Sequence, residues 1–261
     1  MTDLTDRTDL PRTDLPRTDL PRTDLPRRDE PGHANTPLVR WLTAEGVERD
    51  LAPADLIEIG HGLRKFMLPF QFAINEIVTK IEILRDEFAY LNDYNPIEHI
   101  SSRVKTPESL LAKARRRDIP VDPESLANRL DDIAGVRVTC SFISDAYRLT
   151  ELLCAQPDVR TLQTKDYIAE PKPNGYRGLH TIVETPVNLS TGQLPVKVEL
   201  QVRTIAMDFW ASLEHKIYYK YDRTVPAHLL DELTVAAGTA NVLDQRMQAI
   251  RNEIHGVTGE R

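Results

Sequence analysis

The stretch Val196–Thr204 constrains the fold of this chain most, because it alternates without a break. Val196, Val198, Leu200 and Val202 fall on one side of an extended backbone, and Lys197, Glu199, Gln201 and Arg203 on the other. A strand with one wholly apolar face must press that face on a core. The charged face has two readings: it meets solvent, or it lines a site. Ile205–Tyr221 follows with no turn residue between, and sets Phe209, Trp210, Leu213 and Ile217 on the apolar side of a helix.

The rest of the chain supplies partners for that strand. Ile133–Cys140, Arg160–Ile168 and Leu179–Val187 are β-branched runs of strand length. Asp145–Ala155 reads as a helix. Leu56–Leu91 is a longer one, with Ile74, Ile77, Val78, Ile81 and Leu84 at spacings of three and four, ended by Asn92 and Asn95-Pro96. Thr106-Pro107 and Asp122-Pro123 each open a short helix with proline in its first turn. Ala227–Ile254 is helical and polar enough for a surface or an interface. The expected class is α+β: a mixed sheet flanked by helices, with helical arms at both ends.

The front of the chain is different. TDLPR occurs four times between Thr8 and Arg27. A proline every five residues blocks regular helix and sheet, and the period is too short for a stacking repeat. Residues 1–36 are expected to be a disordered tail and 37–261 one folded domain.

Composition excludes several classes. Hydrophobic residues make up 41% and charged residues 28%, as in ordinary globular proteins. No apolar run approaches the roughly 20 residues of a membrane span, and no signal-peptide pattern opens the chain, so a cytoplasmic location is expected. Cys140 and Cys154 sit in apolar surroundings and read as buried small hydrophobes. The formal net charge of −7 argues against a coat for nucleic acid.

Against that acidic background, Arg103, Lys105, Lys113, Arg115, Arg116 and Arg117 cluster in one segment, which points to a discrete anion. Lys105, Ser109 and Lys113 share a helix face if the helix starts early enough. The chain has neither a G-x-x-x-x-G-K-[ST] loop nor a G-x-G-x-x-G fingerprint. Asp132, directly ahead of a strand and favoured over Asp131, could join Glu199 in holding Mg²⁺ beside phosphates. The turn Asn174-Gly175 would expose Tyr176 as a stacking surface for a base, with Lys172 and Arg177 alongside; a structural plug is the alternative. His180 is open to a structural or a catalytic role.

Four segments, PIEHISSRVK (96–105), DIAGVRV (132–138), KDYIAEPKPNGYRGLH (165–180) and VELQVRTIAMDFWASLEHK (198–216), resemble the RelA/SpoT synthetase family, in particular its short members, the small alarmone synthetases. The likeness runs roughly from His61 to Met247. It implies a nucleotidyltransferase-like sheet and transfer of the β,γ-pyrophosphate of ATP to the 3′-hydroxyl of GDP or GTP, with AMP leaving. By motif position, it implies Asp132 and Glu199 as the catalytic, Mg²⁺-holding carboxylates. Arg103 and Arg137 would sandwich adenine, and Lys105 and Lys113 would meet the ATP phosphates, with Ser109 on the same segment. Tyr176 would stack on guanine, with Lys165, Lys172, His180, Gln201 and Arg203 around the acceptor nucleotide. The resemblance further implies a homotetramer; a regulatory nucleotide or RNA stays open as a partner, and no membrane is involved.

One departure is Gly178, where the family commonly has serine. The chain has no His-Asp dipeptide and no room for the hydrolase domain of long family members, so synthesis without degradation is expected. Two other readings stay open. One is a relative that pyrophosphorylates adenine nucleotides or tRNA 3′ ends. The other is a catalytically dead binder of nucleotide or RNA.

Overall fold

The computed structural model describes residues 53–91, 94–220 and 225–254. The expected tail, residues 1–36, lies outside them.

Five strands form one mixed sheet in the order β1-β2-β5-β4-β3. They are β1 (Ile97–Val104), β2 (Ala134–Cys140), β3 (Arg160–Asp166), β4 (Leu179–Leu189) and β5 (Gly192–Thr204). β5 is central, parallel to β2 and antiparallel to β4. The β4–β5 hairpin closes through Ser190 and Thr191, so both strands run beyond Val187 and Val196. β1 has no counterpart in the sequence reading. Its apolar residues Ile97, Ile100 and Val104 are spaced three and four apart, and a bulge between Ile97 and His99 breaks the alternation. As an edge strand it has only one neighbour to satisfy.

The apolar face of the sheet is covered by α1 (Pro53–Leu91). Ile74, Ile77 and Ile81 of α1 are buried in one cluster with Val136, Val138, Val198, Leu200 and Val202. Fully burying such a side chain contributes about 1.5–3 kcal/mol, so this face fixes which way β5 is turned. α4 (Ile143–Cys154) adds Leu149 and Leu153 to the same core. Cys140 lies in that core, where burial pushes its thiol up to about 12, in keeping with an inert small hydrophobe.

The two proline-opened helices are α2 (Pro107–Arg116) and α3 (Pro123–Arg129). Thr106 caps α2 by accepting from the Ser109 N–H, and Asp122 caps α3 by accepting from the Ser125 N–H. α5 (Ile205–Lys220) leaves β5 directly, and α6 (Ala227–Ile254) packs back against it. Thr204 donates to buried Asp244 at 2.6 Å, and Arg251 reaches Asp145 at 2.7 Å. Thus α6 is tied to β5 and to α4. No described helix is long and apolar enough to cross a membrane.

Candidate active site

Strand register assembles the site. Arg103 of β1 stands opposite Gly135 of β2, and Gly135 opposite Glu199 of β5. In the next row Arg137 is opposite Gln201, Gln201 opposite His180 of β4, and His180 opposite Lys165 of β3. Residues opposite one another share a face. The second face of the sheet, turned away from the α1 core, therefore carries Arg103, Arg137, Glu199, Gln201, His180 and Lys165 together. The charged side of Val196–Thr204 is a lined site and not a solvated face.

Asp132 joins this face from the turn ahead of β2. Its Oδ2 accepts from Lys105 Nζ at 2.7 Å and from Lys113 Nζ. Burial opposes ionisation of Asp132, but the two ammonium groups outweigh it and hold the carboxyl below its usual range. Lys113 is itself pushed down by burial, against the pull of Asp132. The expected common helix face of Lys105, Ser109 and Lys113 is not present. α2 starts at Pro107, so Lys105 precedes the cap and approaches from the end of β1. Ser109 serves the cap: its hydroxyl accepts from Thr106 at 3.0 Å, and it lines neither cavity described below.

Glu199 is held from two sides. His180 Nδ1 lies 3.2 Å from its Oε1, and Gln201 Nε2 donates to its Oε2 at 2.9 Å. Burial would raise its pKa, but the hydrogen bonds from His180 and Gln201 prevail and the carboxyl stays below its ordinary value. A raised pKa, one of two ways such a group could become a stronger base, is not what this environment produces.

Of the two readings open for Tyr176, the structure shows the buried plug. It is 8% exposed, not a free stacking surface. Its ring packs with Trp210, Ala211 and Ala237, and its hydroxyl accepts from Arg203 Nε at 3.0 Å. The Arg203 guanidinium and the Lys172 ammonium lie over the ring, 4.9 and 4.6 Å from its centre. A buried aromatic with two cations and a bonded hydroxyl is better satisfied than one held out in water. Arg177 turns away and donates to the Ile168 carbonyl.

The loop that carries Tyr176 is fixed by Gly175. It has φ +83°, and a Cβ there would fall 2.5 Å from the Ala237 Cβ of α6. Gly175→Ala should therefore lose about 1–3 kcal/mol from backbone strain and overlap. A thermal melt reads the loss, and adding Ala237→Gly should recover its steric part only.

Two cavities open on the second face. One, of about 200 Å³, is lined by Lys113, Arg117, Lys165, Lys172 and His180 among others. The other, of about 250 Å³, is lined by Arg103, Arg137 and Gln201 among others. Asp132 and Glu199 line both. Tyr167 also lines the first, and no local signal sets Arg117 apart from Arg115 or Arg116. Asp208 of α5 was not singled out either, yet it accepts from Arg203 at 3.1 Å and lies 3.6 Å from Arg137.

Asp132 Oδ1 is buried without a hydrogen-bond partner. No group of three or more His, Cys, Asp or Glu side chains converges among the described residues. A buried orphan oxygen beside a second carboxylate fits Mg²⁺, which commonly takes one or two carboxylates and completes its shell with substrate phosphates and water.

Residues 102–224 match the family described as the region found in RelA / SpoT proteins. The GTP pyrophosphokinase YwaC of Bacillus subtilis is 46% identical over 200 residues, covering 77% of this chain and 95% of the relative. The chain belongs to the RelA/SpoT family. Its fold matches those of small members of that family. The structure of the small alarmone synthetase 2 of B. subtilis aligns at TM-score 0.66 and 49% identity, over 72% of this chain and 97% of that one. The small alarmone synthetase 1 of B. subtilis, bound to its product pppGpp, aligns at TM-score 0.69 and 37% identity, over 74% and 98%. The mixed sheet with flanking helices expected from the strand and helix pattern is thus the fold found.

Proposed function

We propose that this chain is a (p)ppGpp synthetase, which transfers the β,γ-pyrophosphate of ATP to the 3′-hydroxyl of GDP or GTP and releases AMP. One observation carries the reading: Asp132 and Glu199 are shared by two cavities that otherwise have different linings. A transfer between two nucleotides needs a donor and an acceptor pocket that meet at the reacting phosphorus.

The cavity with Arg103 and Arg137 takes ATP, its adenine between the two guanidinium groups. Lys105 and Lys113, already on Asp132, meet the phosphates. The cavity with Lys165, Lys172 and His180 takes the acceptor; Gln201, on the ATP side, supports it through Glu199, and Arg203 supports it through Tyr176. Guanine stacks on Tyr176 in place of Lys172, since Arg203 is only 5% exposed and is the less free of the two cations. Asp132 and Glu199 would hold Mg²⁺, which would supply charge neutralisation at the phosphates.

In the reaction the ribose 3′-oxygen attacks the β-phosphorus, the bond from that phosphorus to the α,β-bridging oxygen breaks, and the oxygen leaves on AMP. Such transfers pass through a loose transition state, so charge neutralisation and alignment matter more than a strong base. An ionised Glu199, accepting from the 3′-hydroxyl, aligns the attack and takes the hydroxyl proton as the new P–O bond forms. The reading includes cytoplasmic nucleotides as substrates. It also includes self-association as a homotetramer, supported by the exposed apolar residues Val242, Leu243, Met247 and Ile250 of α6.

The test is incubation with γ-labelled ATP, Mg²⁺ and one acceptor at a time. Label should enter a product with GDP or GTP. Label in tRNA or an adenine nucleotide instead, or no transfer despite tight nucleotide binding, would overturn the reading.

A further inference from the structure

The hydrogen bonds around Glu199 close into a ring. Arg203 Nε donates to Tyr176 Oη at 3.0 Å, and Tyr176 Oη lies 2.5 Å from His180 Nε2. His180 Nδ1 faces Glu199 Oε1 at 3.2 Å, Gln201 Nε2 donates to Glu199 Oε2 at 2.9 Å, and Arg203 Nη2 donates to Gln201 Oε1 at 3.1 Å.

The direction of every bond follows from which atoms can only donate. A guanidinium has no acceptor, so Tyr176 oxygen accepts from Arg203. The single Tyr176 hydrogen is then free to go to one place within reach, His180 Nε2. An Nε2 that accepts carries no proton, so the imidazole proton sits on Nδ1 and points at Glu199. With the opposite tautomer, Nδ1 would turn a lone pair on an ionised carboxylate. With both nitrogens protonated, the Tyr176 oxygen would take two donors and its own hydrogen would be orphaned in a buried place. Burial also raises the Tyr176 pKa, against the pull of Arg203, so the hydroxyl keeps its hydrogen.

We infer that the Tyr176 hydroxyl, apart from its ring, is a positioning group: it fixes the Nδ1-protonated form of His180, which in turn orients Glu199. This rests on the role proposed for Glu199 above. Gly178 leaves the arrangement room. A Cβ at Gly178 would lie 3.1 Å from Tyr176 Oη and 3.2 Å from Arg203 Cγ, at φ +156°. Where the resemblance leads one to expect serine, this chain leaves room for the hydroxyl to sit between Arg203 and His180. Base stacking needs only the ring, so the hydroxyl separates the two roles of one side chain.

The test uses the full chain and its Tyr176→Phe variant, which keeps the ring. Long-range ¹H–¹⁵N correlation spectra of ¹⁵N-histidine protein distinguish protonated Nδ1 from protonated Nε2, with His180→Gln assigning the resonance. The wild type should show His180 protonated at Nδ1 alone, and Tyr176→Phe should show a mixture of tautomers. In Tyr176→Phe, kcat should fall about tenfold or more while KM for GDP stays within about twofold, as for a lost alignment effect and not a lost binding contact. A wild-type His180 protonated at Nε2, or a Phe variant with unchanged tautomer and kcat, overturns the inference. A wild type that transfers no label to a guanine nucleotide instead fails the functional reading, and the spectra still decide the tautomer.

Discussion

Glu199→Gln should abolish turnover, with kcat down by at least about a thousandfold, while ATP still binds. The change is isosteric and removes one negative charge. It also places an amide NH₂ against either Gln201 Nε2 or the His180 Nδ1 proton, two donors that Glu199 now satisfies. The fold should survive, because Val198 and Leu200 on the opposite face hold the strand in the core. The ATP-side residues Arg103, Arg137 and Lys113 are untouched. Isothermal titration with a non-hydrolysable ATP analogue reads binding, and label transfer reads turnover. An active Glu199→Gln enzyme removes Glu199 from the mechanism.

The second large effect is expected at Asp132. In Asp132→Ala, Lys105 and Lys113 lose their counter-charge, and their side chains are only 15% and 14% exposed. Removing one member of a fully buried ion pair costs about 3–5 kcal/mol; with Asp132 itself 22% exposed, about 1–3 kcal/mol is expected here. Burial already pushes Lys113 toward its neutral form, which also limits the loss. Turnover should fall as far as in Glu199→Gln. Asp132→Asn keeps an acceptor for one lysine, so it should recover part of the stability and none of the activity. Urea midpoints and label transfer separate the two. Activity that returns together with stability in Asp132→Asn would make Asp132 a structural residue.

Much of the fold was legible because its signals were periodic. The alternation from Val196 to Arg203 marks β5 and its buried face. The Ile74–Leu84 spacing marks α1, and the two proline-opened helices start where expected, with Thr106 and Asp122 as their caps. β1 was not legible, because its bulged, one-sided edge lacks alternation. That omission matters, since β1 brings Arg103 beside Glu199. In the site, alternation could place Glu199, Gln201 and Arg203 on one face but could not say what faced them. Register supplied that, by setting Gln201 opposite both Arg137 and His180. The turn signal left Tyr176 open between a stacking surface and a buried plug, because it reports backbone shape; Arg203 of β5, Trp210 of α5 and Ala237 of α6 decide where the ring goes. Asp208 carries no local signal, since one acid in the first turn of a helix is common.

The central claim is pyrophosphate transfer, and the nucleotide left over from ATP tests it most directly. With α-labelled ATP, GDP and Mg²⁺, label should appear in AMP, mole for mole with the 3′-pyrophosphorylated guanine product. Label in ADP instead would mean that a single phosphoryl group moves, and would contradict the account.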